Sequence, residues 1–160
     1  MSLTPKKPAE SQVEMADIIL PAQTNALGTI FGGEVMSYVD RIASIAASRH
    51  SGQSVVTASF DSLDFLSPIR LGEVILLRAV VTWTGRTSME IMVTIEAENS
   101  RTGERRVTGV SFLTFVAVDH AGRPVEVPPL EPETDAEKYQ FELAKDRAAH
   151  RKQRREKFVY

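Results

Sequence analysis

Cysteine is absent from the chain, and its three histidines lie far apart, at His50, His120 and His150. Without cysteine, a disulfide framework, a zinc ribbon and a thiol nucleophile are all excluded. The scattered histidines argue against a compact metal site, so we expect no metal. The lack of cysteine also agrees with a cytoplasmic location, since it leaves no disulfides to form.

Long apolar runs are missing as well, and none approaches the roughly 18 residues of a membrane-spanning helix. The segment over residues 1–12, MSLTPKKPAESQ, is polar and lacks the apolar middle section that a secretory signal requires. We therefore expect a soluble protein without a membrane partner, and a flexible leader over residues 1–12.

Neither sign of charge dominates the chain, whose 160 residues carry a formal net charge of −2 and are 42% hydrophobic. This is the size and composition of one globular domain. The basic charge is concentrated over residues 145–157, where seven Lys or Arg stand against two acidic residues. Such runs are usually solvated helix faces, and no aromatic pattern or nucleic-acid-binding fold accompanies this one, so we expect no nucleic-acid partner.

Periodicity in the first half predicts a strand, a loop and a helix. Residues 13–20 are typical of a short strand, and Pro21 opens the loop PAQTNALGTIFGG, whose three glycines allow unusual backbone angles. From Glu34 to about Arg49, apolar residues recur at helical spacing on one face. They are Val35, Val39, Ile42 and Ala46.

The second half changes to β-rich runs separated by turn signals. Four strands are predicted, and the short connectors between the last three indicate antiparallel hairpins. The runs are SVVTASFDSLDF, EVILLRAVVTWT, TSMEIMVTIEAE and RVTGVSFLTFVAV. Beyond a proline-rich segment, Thr134 and Glu137 form a capping box for a helix from about Asp135 to Lys157. The order predicts an α+β domain over residues 13–128, followed over 129–160 by a linker and a basic C-terminal helix.

Familiar nucleophile and phosphate motifs are absent. GVSFL around Ser111 lacks the second glycine of a nucleophile elbow, and GTIFGG is neither a P-loop nor a dinucleotide fingerprint. Asp40 lies at the border of the apolar stripe of the helix, where a half-buried carboxylate is a candidate base or nucleophile. The alternative is that Asp40 pairs with an arginine, such as Arg41 of a partner chain, or reaches water.

Three residues around the helix start are further candidates. Gly32 and Gly33 leave the N–H groups of the first turn uncovered, where they and the helix dipole can hold a developing oxyanion. The same glycines equally fit a plain tight entry into a helix. Asn25 can donate and accept hydrogen bonds, which suits orienting a water or a carbonyl, but asparagine after threonine is also a common turn former.

The run PAQTNALGTIFGGEVMSYVD, from Pro21 to Asp40, resembles the signature of the hotdog-fold acyl-CoA hydrolases, which include the mammalian brain acyl-CoA hydrolase and small bacterial acyl-CoA thioesterases. The similarity extends from about Glu14 to Pro128. It implies a hotdog fold, in which a five-stranded antiparallel sheet wraps a long central helix. It also implies that chains pair edge to edge as homodimers, and that three dimers form a hexamer.

This resemblance assigns Asn25 and Asp40 as catalytic residues that meet across a subunit interface, with N–H groups near Gly32 and Gly33 facing the thioester oxygen. It also places the run GRTS beside the nucleotide of CoA, although its spacing alone predicts a hairpin turn. The four residues of this run are Gly85, Arg86, Thr87 and Ser88.

The implied function is cofactor-free hydrolysis of fatty acyl-CoA to the fatty acid and CoA, with Asp40 as general base or nucleophile. One alternative is an acyl-CoA-binding regulator that uses the same fold without turnover. A second is a hotdog hydratase or dehydratase, which by analogy needs a histidine near the helix. Asp64, in the strand after the helix, is an acidic residue that could tune the acyl pocket.

Overall fold

A computed structural model describes residues 2–159. Met1, in the predicted leader, and Tyr160, in the predicted C-terminal segment, lie outside the described residues. The order of strands and helices predicted from the sequence is confirmed, and the strand that follows the first helix has the predicted bounds. In chain order the elements are β1 Val13–Ile18, α1 Gly32–Ser51, β2 Ser54–Phe65, β3 Val74–Thr84, β4 Ser88–Glu98, β5 Arg105–Val118 and α2 Asp135–Glu156.

The strands form one antiparallel sheet in the order β1, β3, β4, β5, β2. Strands β3, β4 and β5 are neighbours, as the short connectors predict, whereas β2 pairs with the far side of β5. The two edges of the sheet are therefore β1 and β2. In residues 2–159, one side of the 12-residue strand β2 has no partner strand, and such an edge is available for pairing with another chain.

Helix α1 covers one face of this sheet. Its predicted apolar stripe is buried, since Val35, Val39, Ile42 and Ala46 are each at most 2% exposed, and it packs in one core with inward-facing residues of the central strands. Gly52, with a φ of 67°, ends the helix in the left-handed conformation that favours glycine. A five-stranded antiparallel sheet around a long helix is the hotdog fold, so the fold prediction is confirmed.

Helix α2 lies on the other face of the sheet. Its contact residues Thr82 and Glu90 point away from α1, because their neighbours Val81 and Ile91 belong to the α1 core and strand side chains alternate. The predicted capping box is present at its start. Within residues 2–159, neither α-helix combines the length and the apolar character needed to cross a membrane.

Arginines hold α2 onto the sheet. Arg147 donates to the fully buried carboxylate of Glu90 at 2.8 and 3.0 Å. Arg151 and Arg154 both donate to Asp61 on β2, each at 3.2 Å. The interpretation of this basic run as a solvated helix face is therefore wrong for Arg147 and Arg151, whereas the side chain of Arg154 remains 44% exposed. Their acidic partners are distant in sequence and meet them only after the sheet has formed.

The described part of the predicted leader is tied to the segment before α2. The N–H of Lys6 donates to the carbonyl of Pro129 at 2.9 Å, and the carbonyl of Lys6 accepts from Glu131 at 2.8 Å. Ser11 is fully buried, and Pro8–Glu10 forms a short 3-10 helix. Residues 6–12 thus differ from the flexible leader expected from composition, because backbone pairing and burial fix them.

Candidate active site

Asp40 lies on the side of α1 that faces the edge strand β2. Its side chain is half-buried, and its Oδ1 accepts a 2.7 Å hydrogen bond from the hydroxyl of Thr57. Arg41 of the same chain turns away, since its Nε donates to the Ser37 carbonyl and its guanidinium lies 5.1 Å from the centre of the Tyr38 ring. In residues 2–159 the second carboxylate oxygen of Asp40 has no hydrogen-bond donor, so it is available to a water or an acyl group.

Thr57 is a contact that sequence reasoning missed. It follows the core residue Val55 by two positions, so strand alternation places it on the side of β2 that faces α1. That alternation is the available signal in the sequence. Linking Thr57 to Asp40 requires knowing that β2 is the sheet edge beside this turn of α1, which residue spacing does not supply.

Asn25 lies in the loop between β1 and α1, where it organises a turn. Its Oδ1 accepts from the N–H groups of Leu27 at 2.9 Å and Thr29 at 3.2 Å. Its Nδ2 donates to the Thr29 hydroxyl at 3.0 Å. The turn-forming alternative is therefore correct for the carbonyl side of the amide. An amide nitrogen carries two hydrogens, however, and one of them has no acceptor in residues 2–159.

The start of α1 presents backbone donors without acceptors. Phe31 is the N-cap residue and makes no side-chain capping bond, while the N–H groups of Gly32 and Gly33 have no hydrogen-bond partner in residues 2–159. Neither glycine has a positive φ, so the backbone conformation does not require glycine there. A Cβ on Gly33 would meet nothing within 4 Å, so the glycine keeps the approach to these donors open. The positive end of the helix dipole lies at the same point.

A cavity of about 390 Å³ opens beside Gly32. Its walls are mainly apolar and include Val35, Phe65, Ile69 and Ile95. The Ser67 hydroxyl on this wall is buried and has no partner in residues 2–159. Asp64, the candidate for tuning an acyl pocket, is exposed on β2 and does not line this cavity. An apolar chain attached to a carbonyl at the helix start can therefore extend into this cavity.

The run GRTS forms the hairpin turn between β3 and β4, as its spacing predicts. The N–H of Gly85 donates to the carbonyl of Ser88 at 2.8 Å, and a Cβ on Gly85 would lie 2.8 Å from the Trp83 ring. The Arg86 side chain is 78% exposed. The Arg86 carbonyl accepts from Val127, next to the Pro128 carbonyl that contacts His50 at the end of α1.

These contacts place the GRTS turn at the end of α1 that is opposite to Gly32 and Gly33. A helix of 20 residues is about 30 Å long, so one chain does not bring the turn and the free N–H groups together.

Asn25 and Asp40 do not meet within one chain either. The loop that carries Asn25 is bonded to the Tyr38 side of α1, through Gln23. Residues two apart on a helix point about 160° away from each other, so Tyr38 and Asp40 face opposite sides. Asp40 accordingly faces β2, at the edge of the sheet furthest from β1. A site that uses both residues needs a second copy of the chain.

A hotdog sheet around a helix with free N–H groups at its start, beside an apolar cavity and a half-buried carboxylate, is the architecture of a thioesterase. The thioesterase superfamily profile matches residues 27–104 of this chain. An uncharacterized acyl-CoA thioester hydrolase of Bacillus subtilis, YkhA, is 47% identical over 91% of this chain and 85% of that protein. The cytosolic acyl coenzyme A thioester hydrolase of Rattus norvegicus is 35% identical over 95% of this chain, which spans only 40% of that protein.

Solved structures give the same result. A hexameric acyl-CoA thioesterase, solved in its apo form, has a TM-score of 0.92 and 46% identity, over 95% of this chain and 97% of that one. The acyl-CoA hydrolase of Staphylococcus aureus, in complex with butyryl-CoA and CoA, has a TM-score of 0.89 and 41% identity, over 94% and 92% of the two chains. The chain therefore belongs to the acyl-CoA thioester hydrolases of the thioesterase superfamily.

Proposed function

We propose that this chain hydrolyses acyl-CoA thioesters to the free acid and CoA, at a site shared between two copies. The observation that carries the proposal is the arrangement of functional groups along α1. This helix presents the free N–H groups of Gly32 and Gly33 beside an apolar cavity, and it holds Asp40 against Thr57 with one carboxylate oxygen free. These are an oxyanion site, an acyl site and a base, the three components that thioester hydrolysis needs.

In this mechanism, Asp40 removes a proton from a water as that water attacks the thioester carbonyl carbon. The carbonyl oxygen becomes negative, and the N–H groups of Gly32 and Gly33 stabilise it. Asn25 of the second copy orients the water or the carbonyl through its remaining N–H. The C–S bond then breaks, and CoA leaves as a thiolate that takes up the proton from Asp40. Because a thiolate is a good leaving group, no strong acid is required.

Alanine variants of the Staphylococcus aureus acyl-CoA hydrolase support this choice of residues. Its structures include single variants at an asparagine, an aspartate and a threonine. These three residues have the same spacing in that chain as Asn25, Asp40 and Thr57 have here.

A second copy also accounts for the exposed apolar residues around the helix start and along β2. Leu27 is 87% exposed, Phe31 52%, Val56 49% and Leu66 63%. Pairing of two β2 edges would cover residues along that edge, such as Val56, and would bring the Asp40 side of one chain towards another. The hexameric neighbour supports assembly beyond a dimer, and we propose a trimer of dimers.

The CoA nucleotide is assigned by the same reasoning to the GRTS turn of a neighbouring copy. Within one chain this turn lies at the wrong end of α1. In an assembly Arg86, which is 78% exposed and 4.0 Å from Glu126 of its own chain, can exchange this exposed ion pair for a phosphate. The cytoplasmic location and the absence of a cofactor stay predictions.

The primary experiment measures release of free CoA from acyl-CoAs of increasing chain length, for the wild type and for Asp40→Asn. We expect the wild type to turn over part of the series and the folded variant to lose at least a hundredfold in kcat, the usual size of a general-base contribution, about 10²–10⁴. Binding of acyl-CoA without turnover by the wild type would contradict the proposal and indicate an acyl-CoA-binding regulator.

Mixing two inactive variants tests the shared site directly. In a dimer with twofold symmetry, one Asn25→Ala chain and one Asp40→Asn chain form one doubly mutated site and one intact site. After unfolding and refolding together, the mixture should recover about a quarter of wild-type activity. No recovery in a mixture that forms mixed oligomers would place both residues in a site within one chain.

Isotopically labelled water distinguishes a base from a nucleophile. In a single turnover with general-base catalysis, the label enters the released acid and not the protein. Label found in the Asp40 carboxylate would instead establish an anhydride intermediate.

A further inference from the structure

Gln23 ties the loop that carries Asn25 to helix α1. Its side-chain Oε1 accepts from the N–H of Leu20 at 2.9 Å, and its Nε2 donates to the hydroxyl of Tyr38 at 2.9 Å. Its backbone carbonyl accepts from the N–H of Phe31 at 3.0 Å. Leu20 begins the loop and Phe31 ends it, so a single residue joins both ends of the loop to the helix.

Tyr38 continues this connection to the sheet. The side chain is 3% exposed, and its hydroxyl donates to Oδ2 of Asp17 near the end of β1. Burial, followed by the hydrogen bond to Asp17, raises the pKa of Tyr38, so the phenol stays protonated at neutral pH. Because the hydroxyl hydrogen goes to Asp17, the oxygen lone pairs remain for the amide of Gln23. The other oxygen of Asp17 accepts from the N–H of Ile18 at 2.8 Å.

This network holds two parts of the proposed catalytic machinery, the loop that carries Asn25 and the start of α1. Asn25 follows Gln23 by two residues in the same loop. Phe31, held by the Gln23 carbonyl, is the N-cap of α1 and directly precedes the free N–H groups of Gly32 and Gly33. The network lies on the side of α1 away from Asp40, so it does not contact the proposed base. A displacement of about 1 Å in such groups can cost a hundredfold in rate.

We propose that Gln23, Tyr38 and Asp17 are positioning residues, which hold the Asn25 loop and the oxyanion N–H groups in the geometry that the reaction needs. This inference rests on the proposed thioester hydrolysis. None of the three acts on the substrate. In each chain, the network positions Asn25 for one site of the assembly and the N–H groups at the start of α1 for another site. Each network therefore serves two sites.

The test uses Gln23→Met and Tyr38→Phe, which keep nearly the same side-chain size. Each removes the Gln23–Tyr38 hydrogen bond and one other, from Leu20 to Gln23 or from Tyr38 to Asp17. We expect kcat to fall roughly tenfold to a hundredfold, with KM for acyl-CoA changed less than about threefold, since neither side chain contacts substrate. The double variant should lose less than the two single losses combined, because both changes break the Gln23–Tyr38 contact. Tyr139→Phe, at a 64% exposed tyrosine of α2, is the matched control and should keep wild-type kcat.

Variants of Asp17 test whether the acceptor for the Tyr38 hydroxyl is what matters. Asp17→Ala should reproduce the fall in kcat of Tyr38→Phe. Asp17→Asn keeps one acceptor oxygen for the phenol, although it loses the bond from Ile18, and should retain more activity than Asp17→Ala. An equal loss in both Asp17 variants would overturn the acceptor role.

Asp40→Asn separates failure of this inference from failure of the proposed function. If Asp40→Asn is inactive while Gln23→Met and Tyr38→Phe keep wild-type kcat, the positioning role is rejected and the hydrolase proposal stands. If Asp40→Asn turns over like the wild type, Asp40 is not the base, and if the wild type itself releases no CoA, the proposed function fails. Losses of activity that follow a lowered melting temperature, with KM rising in parallel, would indicate a merely structural role. If Tyr38→Phe does not fold, Gln23→Met carries the test, because its side chain is only partly buried.

Discussion

At the scale of single residues, the proposed site depends on side chains whose hydrogen bonds leave one atom free. Asp40 has one oxygen held by Thr57 and one available, and Asn25 has its carbonyl used in a turn and one N–H available. Each residue is thus oriented by the fold and still able to bind a ligand. Pre-orientation of this kind lowers the cost of reaching the reacting geometry.

Thr57 gives the first prediction at this scale. Thr57→Val should lower kcat about tenfold, because a hydrogen bond to a charged group contributes roughly 1.5–3 kcal/mol and part of it is regained from water. Thr57→Ser retains the hydroxyl and should stay within about twofold of the wild type. Steady-state CoA release measures both. Equal activity of the Val and Ser variants would show that the Thr57 hydroxyl does not orient Asp40.

His50 gives a prediction about stability. Its Nε2 lies 2.8 Å from the Pro128 carbonyl, its Nδ1 has no partner in residues 2–159, and burial, followed by the charge of Lys6, lowers its pKa below the usual 6.5. The unfolded chain therefore binds a proton as pH falls below 6.5 while the folded chain does not, so the free energy of unfolding decreases on the acid side.

His50→Gln keeps an N–H donor for Pro128. It should reduce the decrease in the free energy of unfolding between about pH 7 and pH 5. Urea unfolding across that range measures the effect. His150→Gln, at an exposed histidine of α2, is the control and should follow the wild-type profile. Parallel profiles for His50→Gln and the wild type would show that the pKa of His50 is the same in the folded and the unfolded chain.

At the scale of elements, α2 differs from α1 in what attaches it to the sheet. Helix α1 is held by an apolar stripe, whereas α2 buries only Ala144 and Arg151 among its 22 residues and is held by charges. Arg147 also lies 4.0 Å from the centre of the Phe112 ring, over which a cation is favourable.

Removing either Arg147 or Glu90 alone should therefore lower the stability of the protein, whereas removing both should not. Arg147→Met leaves the fully buried Glu90 without its cation and should lower the free energy of unfolding by about 3 kcal/mol. Adding Glu90→Met should restore most of that loss, because two apolar side chains then replace two charges. Lys145→Met on the same helix, in an exposed pair with Glu142, is the control and should have little effect. Chemical unfolding monitored by Trp83 fluorescence measures these stabilities. A double variant less stable than Arg147→Met would contradict the prediction.

Elements were predictable from the sequence where the signal is local. Helical spacing of Val35 and Val39 predicts α1, turn signals predict the β3–β4–β5 hairpins, and Thr134 with its capping partner predicts the start of α2. Contacts between elements were not predictable in this way. The pairs of Glu90 with Arg147 and of Thr57 with Asp40 join residues whose proximity depends on strand order. Asn25 and Asp40 were candidates from their positions in the loop and on the helix, but their catalytic assignment came from resemblance to a family and stays a prediction.

At the scale of the whole molecule, the β2 edge is where we expect two copies to join. Val56→Lys places a charge on this edge, which opposes strand pairing, so the variant should shift towards monomer and lose most of its activity. Val107→Lys, at a valine with 47% exposure against 49% for Val56, is the matched control and should keep both assembly and turnover. Light scattering and CoA release test this together. A Val56→Lys monomer with full activity would contradict the shared site.

In the proposed shared site, the opposite placement of Asn25 and Asp40 around α1 would make activity depend on the concentration of the chain. An isolated chain carries half of each of two sites, so dilution should remove activity without unfolding anything. A chain with a damaged Asn25 still supplies a working Asp40 to its neighbour, so mixed populations lose activity gradually. The cell can then set the amount of working enzyme through the concentration of the chain, without any separate regulatory ligand.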